Sequence, residues 1–112
     1  MKIKIQLRDK RWIFAPAIPT SHPQLFVTPE RITISKNKSH FSKDRYTVSH
    51  KRTGFSITGD FSREEAVRCA EFLARSDIPW EKIRFLKQVP QYQAQFEKAM
   101  QLFYGRSASF VS

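Results

Sequence analysis

Residues 46–65, with the sequence YTVSHKRTGFSITGDFSREE, contain the clearest structural signals in the chain. Tyr46, Val48 and His50 alternate with polar residues, which indicates a strand with two different faces. Gly54 can adopt a positive φ angle at no steric cost, so the segment predicts a β-hairpin that turns at this glycine. A capped helix should follow directly.

The predicted helix begins with a capping box. Ser62 is followed three residues later by Glu65, and each side chain can bond to the backbone N–H of the other residue. Small and apolar residues then recur at helical spacing and should face the sheet: Ala66, Cys69, Ala70, Leu73 and Ala74. A short second helix is expected to start at Pro79 and to bury Trp80, Ile83, and Phe85 or Leu86. After Pro90, a third helix with Tyr92, Phe96, Ala99 and Phe103 should end at Gly105.

Strand signals also mark the N-terminal part of the chain. Ile3, Ile5 and Leu7 alternate with Lys2 and Lys4, which predicts a strand with one buried face. A second short strand is expected around residues 11–14. Four of the six prolines follow before residue 30, so residues 15–30 should be mostly extended loop. Alternation returns at residues 31–36 and is followed by a polar connection at 36–44.

This order of elements predicts an α+β fold. We expect an N-terminal antiparallel sheet of about four to five strands, followed by two to three C-terminal helices packed on one face. The 112 residues should form a single domain, with a basic β-rich half (1–60), a helical half (61–105) and a frayed tail (106–112).

Composition limits the environment of the chain. The one cysteine, Cys69, cannot form an internal disulfide, which favours a reducing compartment, so the cytoplasm is expected. No apolar stretch approaches the roughly 18 residues that a transmembrane helix needs, so no membrane partner is expected. The sequence also lacks a phosphate-binding glycine motif and any zinc-ligand spacing, and neither a cofactor nor a metal ion is predicted.

Positive charge is concentrated in the first half. The net charge is +10 overall, and residues 1–60 contain twelve Lys and Arg against four Asp and Glu. A surface of this kind favours a polyanionic partner, and nucleic acid, either DNA or RNA, is the partner that we expect. The predicted phosphate contacts are Lys2, Lys4, Arg8, Lys36, Lys38, Lys43, Arg45, Lys51 and Arg52.

The predicted interface is the sheet face that the helices leave open. Thr47 and Ser49 should project from this face beside the cations, since Ser and Thr hydroxyls also bond to phosphate oxygens. Phe41 and Tyr46 lie among the charged residues and could stack on unpaired bases, although both are also suited to a core.

Two resemblances accompany this pattern. The order of strands followed by a helix is similar to the layout of single-strand DNA-binding folds of the Whirly and PUR type, and the similarity is one of element order. The segment from Tyr46 to Gly54 resembles a pattern found in small phage and plasmid proteins, for which it implies no activity.

Other classes of function stay open. The large apolar residues of the C-terminal helices could form a dimer interface or the surface of a protein–protein adaptor or inhibitor. A metal-independent ribonuclease could use His40, His50, Arg45 and Tyr46, because imidazole moves protons and cations stabilise a pentavalent phosphate. No spacing in the sequence forces these groups together, so an enzyme is the less expected reading and no catalytic residue is assigned.

Overall fold

The computed structural model describes residues 1–7, 10–35 and 38–104, with residues 33–35 described by their backbone alone. Within these residues, six strands precede two α-helices. The strands are β1 (Lys2–Gln6), β2 (Trp12–Pro16), β3 (Ile18–Pro19), β4 (Leu25–Ser35), β5 (Lys38–His50) and β6 (Phe55–Phe61). The helices are α1 (Arg63–Ala74) and α2 (Gln93–Tyr104), with 3₁₀ segments at Trp80–Lys82 and Leu86–Tyr92 between them.

The described strands form two antiparallel sheets. β1 and β2 make a two-stranded hairpin, while β3, β4, β5 and β6 form a four-stranded sheet in sequence order. The α+β class is therefore confirmed, but the prediction of one N-terminal sheet of four to five strands is wrong. Alternation in β1 predicted the strand correctly, yet alternation carries no information about which neighbours a strand will join.

The helices cover one face of the four-stranded sheet, as predicted. Leu25 and Val27 of β4 and Val48 of β5 are fully buried in a cluster with Leu73 of α1 and Phe96 of α2. The capping box at the start of α1 is also confirmed. The Ser62 hydroxyl accepts a bond from the Glu65 N–H, and the Glu65 carboxylate accepts one from the Ser62 N–H.

The β1–β2 hairpin covers the opposite face of the same sheet. Phe26 lies between Leu25 and Val27 in β4, so its side chain projects away from the helices. It packs in a second buried cluster with Ile3 and Ile5 of β1 and with residues of β2. The described residues consequently form three layers: helices, four-stranded sheet and hairpin.

This third layer overturns the predicted open sheet face. Ser49 lies opposite Phe26 in the ladder and is fully buried, and Thr47 is buried as well. Their hydroxyls are bonded inside the protein, Ser49 with the Thr28 hydroxyl at 2.9 Å and Thr47 with the backbone carbonyl of Thr58. The prediction that Thr47 and Ser49 face solvent is therefore wrong. A polar strand face can be buried when each of its hydroxyls has a hydrogen-bond partner within the protein.

The proline-rich segment is more regular than predicted. Pro16 and Pro19 end β2 and β3, and Pro29 lies inside β4 next to a register shift. Proline is tolerated at such positions because the ladder does not need its missing N–H there. The predicted loop at 15–30 is reduced to residues 20–24, and residues 38–44, expected in a polar connection, belong to β5.

The C-terminal elements differ in type from the prediction. The expected second helix is replaced by the two 3₁₀ segments. Trp80 in the first segment and Ile83 just after it are buried as predicted, whereas Phe85 and Leu86 are exposed. α2 buries Phe96 as expected. Gly105 and the predicted frayed tail at 106–112 lie outside the described residues. Among the helices that the structure describes, none combines the length and apolar character needed to cross a membrane.

Candidate functional site

Lysine and arginine side chains of the first 60 residues lie at the surface wherever the structure describes them. They are Lys2, Lys4, Lys10, Arg11, Arg31, Lys38, Lys43, Arg45, Lys51 and Arg52. Arg8 and Lys36, which were also predicted to contact phosphates, lie outside the described residues. Each described lysine and arginine of the first half is therefore exposed at the molecular surface.

The predicted cations do not share one sheet face. Lys51 extends its ammonium group to 5.8 Å from the centre of the Phe26 ring, on the hairpin side of the sheet. Its neighbour Arg52 donates from Nη1 to the backbone carbonyl of Glu81 at 2.8 Å, in the helical layer. Arg45 forms an ion pair with Asp60 at 3.0 Å. The expected arrangement on a single open sheet face is consequently wrong.

Lys43 and Arg45 lie in an irregular stretch of β5. The ladder between β4 and β5 shifts its register there, and the Ser42 hydroxyl accepts a bond from the Arg45 N–H at 3.0 Å. The same hydroxyl donates to the Asp44 carboxylate at 2.9 Å. This local turn holds Lys43 and Arg45 at the surface, whereas Lys38 lies at the far end of β5, opposite Ser35.

Phe41 and Tyr46, the predicted stacking residues, are both half-buried. The Arg31 guanidinium lies 4.9 Å from the centre of the Phe41 ring, and Tyr46 packs against the main core. Both rings line an open cavity of about 430 Å³, together with Ser42 and Arg63. Other protein groups therefore cover part of each ring, and only the remaining part is open to a base.

Two other aromatic residues are far more accessible. Trp12 is 48% exposed and Phe14 is 63% exposed, and both project from the outer face of the hairpin. In the ladder Phe14 lies opposite Lys4, Trp12 opposite Gln6 and Lys2 opposite Pro16, so aromatic and basic side chains share this face. We call the set Lys2, Lys4, Gln6, Trp12 and Phe14 the hairpin outer face.

Sequence reasoning missed Trp12 and Phe14. Both alternate with Ile13 and Ala15, which are inward-facing, but a strand with large apolar residues on both sides does not show which side is solvated. The distinguishing signal is the register with β1, since antiparallel partners point to the same face and Lys4 must be solvated. That register becomes known only when the turn is known.

Gly54 positions the Trp12 ring. The Gln6 N–H donates to the Gly54 carbonyl at 3.0 Å, which joins β1 to the turn between β5 and β6. The six-membered part of the indole occupies the space that a side chain at residue 54 would fill, and Gly54 has a φ angle of +69°. Glycine thus serves both the turn and the seating of the indole.

His50 is a core residue with both ring nitrogens bonded. Its Nε2 donates to the Trp80 carbonyl at 2.7 Å, and its Nδ1 accepts from the Thr53 hydroxyl at 2.9 Å. Burial lowers the pKa of His50, and the bond to the Trp80 carbonyl offsets part of that effect. His50 is therefore not accessible to a substrate, as the ribonuclease interpretation would require. His40 is exposed in β5, opposite Ile32.

Cys69 has the properties of an inert core residue. It is fully buried in α1, its Sγ lies 3.9 Å from the Met100 sulfur, and burial raises the pKa of the thiol to about 12. In the described part of the chain, no cluster of three or more His, Cys, Asp and Glu residues is placed to hold a metal ion.

Comparison with models of known protein families, with curated proteins and with solved structures finds no match to this chain. We therefore infer function from the exposed charges and aromatic side chains.

Proposed function

We propose that this chain binds nucleic acid through the cationic surface of its N-terminal half. The observation that carries this proposal is the net charge of +8 in residues 1–60, combined with the exposure of every described lysine and arginine in that half. Lysine and arginine contacts to phosphates release condensed counterions, which supplies much of the affinity of such proteins for DNA and RNA.

Three of the four acidic residues in this half lie in the four-stranded sheet, and the fourth, Asp9, lies outside the described residues. Glu30 accepts a bond from the Asp60 N–H, Asp44 accepts one from the Ser42 hydroxyl, and Asp60 pairs with Arg45. These carboxylates are thus engaged in local structure between β4, β5 and β6. The cationic residues of the hairpin lie in a different layer, so an approaching polyanion meets an excess of positive charge there.

The proposed phosphate contacts are the predicted cations, now divided among separate surfaces. Lys2 and Lys4 belong to the hairpin outer face, whereas Arg52 lies against the helical layer. Since the hairpin combines lysines with exposed rings, we place the centre of the interface there. The remaining proposed contacts are Lys38, Lys43, Arg45 and Lys51, with Arg8 and Lys36 outside the described residues.

Charge reversal in two matched regions tests this proposal. The first variant carries Lys2→Glu, Lys4→Glu and Lys43→Glu. The control carries Lys82→Glu, Arg84→Glu and Lys87→Glu, which are exposed cations of the helical half, so both variants change the net charge equally. Fluorescence anisotropy with labelled DNA and RNA should show at least tenfold weaker binding for the first variant and a smaller loss for the control. Equal losses in both variants, or no binding by the wild-type chain, would contradict the proposal.

A second candidate function is binding of a protein partner or a second copy of the chain by the helical layer. It is favoured by Leu102, which is 70% exposed on α2, and by Phe85, which is 60% exposed. Large apolar side chains at the surface are typical of interaction sites when they are contiguous. Sedimentation of the wild-type chain and of Leu102→Glu tests for a second copy of the chain, since a dimer formed through the helical layer should dissociate in the variant.

A further inference from the structure

On the basis of the proposed function, we infer that the hairpin outer face is a stacking platform for single-stranded nucleic acid. Trp12 and Phe14 expose their rings on the same side of β2, and Lys2 and Lys4 flank them from β1. Base stacking on aromatic rings, combined with cations that follow the backbone, is the usual mode of single-strand recognition.

The spacing of these side chains fits this mode. Residues two apart on one strand are separated by about 6.6 Å, so Trp12 and Phe14 can each receive one base of an extended strand. Phe14 lies directly opposite Lys4, and side chains at such positions are roughly 5 Å apart at Cβ. A base on the Phe14 ring would therefore bring its phosphate close to the Lys4 ammonium group.

The two rings are not needed to fill the core. Ile3, Ile5 and Ala15 already close the space between the hairpin and Phe26, and each of them is buried. Trp12 is also held in place, because its indole lies against Gly54. A ring that is ordered before binding loses little conformational entropy when a base stacks on it.

The hairpin outer face should bind unpaired bases in preference to a duplex. A duplex offers phosphates to Lys2 and Lys4 but keeps its base faces stacked inside the helix, so Trp12 and Phe14 gain nothing from it. An anionic membrane would also attract lysines and aromatic rings. However, the Trp12 indole lies against Gly54 and is only 48% exposed, which suits stacking on its open side better than insertion into a bilayer.

The test compares a short oligothymidylate with a duplex of equal length, by fluorescence anisotropy at one salt concentration. Trp12→Ala and Phe14→Ala are each expected to weaken single-strand binding by roughly 5- to 150-fold, the range for loss of one stacked base, and to leave duplex binding unchanged. Phe85→Ala is the matched control, because Phe85 is similarly exposed at 60% and has the Lys87 ammonium 5.8 Å from its ring centre. It should bind like the wild type.

Tryptophan emission provides a second readout at the site itself. The chain has two tryptophans, and Trp80 is only 1% exposed, so quenching by added oligothymidylate should come from Trp12. Trp12→Phe retains an aromatic ring and is expected to bind the strand with little change in affinity but without the quenching. Circular dichroism of each variant verifies that the fold is intact.

The possible outcomes separate this inference from the proposed function. If single strand and duplex bind equally and the ring variants behave like the wild type, the stacking platform is refuted while nucleic-acid binding stands. If neither DNA nor RNA binds, both the stacking platform and the proposed nucleic-acid binding are refuted. Tighter binding to phosphatidylglycerol vesicles than to oligothymidylate would also overturn the inference in favour of a membrane surface.

Discussion

At the scale of single residues, His50 shows how a titratable group can be committed to structure. Its Nε2 faces the Trp80 carbonyl, which can only accept a hydrogen bond, so Nε2 carries the proton and Nδ1 accepts from Thr53. A protonated ring could no longer accept the Thr53 bond and would place a charge in the core. The folded chain therefore holds His50 neutral, with its pKa lowered by burial.

This arrangement predicts a loss of stability at mildly acidic pH. In the unfolded chain His50 takes up a proton near its ordinary pKa of 6.5, whereas the folded chain resists protonation until a lower pH. Because the unfolded state then binds more protons, the free energy of unfolding should fall as the pH decreases below about 6.5. Urea denaturation of the wild type at pH 7.5 and pH 5.5 measures this loss.

Two variants assign the effect to His50. His50→Gln should be less stable than the wild type at pH 7.5, by about 1–3 kcal/mol for a disrupted buried hydrogen-bond pair, but should lose less on acidification. His40→Gln, at an exposed position of β5, should keep the wild-type loss. A loss of equal size in His50→Gln and the wild type would contradict this role.

Three glutamates add a separate pH dependence at lower pH. Glu65, Glu71 and Glu81 have a lowered pKa, so their contributions to the free energy of unfolding are present above about pH 4.5 and are lost at lower pH.

Residue-level prediction succeeded where local chemistry decides the outcome. Gly54 adopts the expected positive φ, and Ile3 and Ile5 are buried as the alternation predicted. It failed for Ser49, because a buried hydroxyl depends on a partner, here Thr28, that is 21 residues away in the sequence. Contacts of that range cannot be derived from periodicity.

At the scale of elements, the start of α1 is the segment that local sequence specifies most fully. The side chains of Ser62 and Glu65 each accept a bond from the other residue's backbone N–H. The acidic residues of the first turn interact favourably with the positive end of the helix dipole. The helix then buries Ala66, Cys69 and Leu73 against the sheet. The cap and the spacing of the apolar residues are set by residues within one or two turns.

Loss of the cap should destabilise the domain measurably. Ser62→Ala leaves the Glu65 N–H without its side-chain partner and is expected to lower the free energy of unfolding by about 1 kcal/mol. Ser62→Gly should lower it by only a few tenths, because glycine exposes the same N–H groups to water. Chemical denaturation of the three proteins side by side is the measurement. An alanine variant as stable as the wild type would show that the cap contributes nothing to the folded state.

Elements with non-local determinants were predicted less well. Apolar spacing between Pro79 and Pro90 predicted one short helix that ends at Pro90, but the chain forms two 3₁₀ segments there, with Pro90 inside the second. Proline removes an N–H that an α-helix needs, and the buried Trp80 is fixed instead by its indole N–H, which donates to the Leu73 carbonyl at 3.0 Å. Tertiary packing, rather than helical propensity, shapes this stretch.

At the scale of the whole molecule, charge and layer order together define the candidate site. Composition alone predicted which residues carry the positive charge and that they are exposed. It could not predict that the hairpin would cover the second face of the sheet, because this depends on how Phe26 packs with Ile3 and Ile5. The outcome moves the centre of the proposed interface from the sheet to the hairpin outer face.

The most direct measurement of polyanion binding is the salt dependence of affinity for a short single strand. Each phosphate neutralised on a single strand contributes roughly −0.7 to the slope of log K against log salt, so a wild-type slope near −3 corresponds to about four phosphates. In a Lys2→Gln, Lys4→Gln variant the slope should become shallower by about 1.4, since two ammonium groups are lost from the hairpin outer face. An affinity that does not change with salt, or an identical slope in wild type and variant, would contradict nucleic-acid binding by this surface.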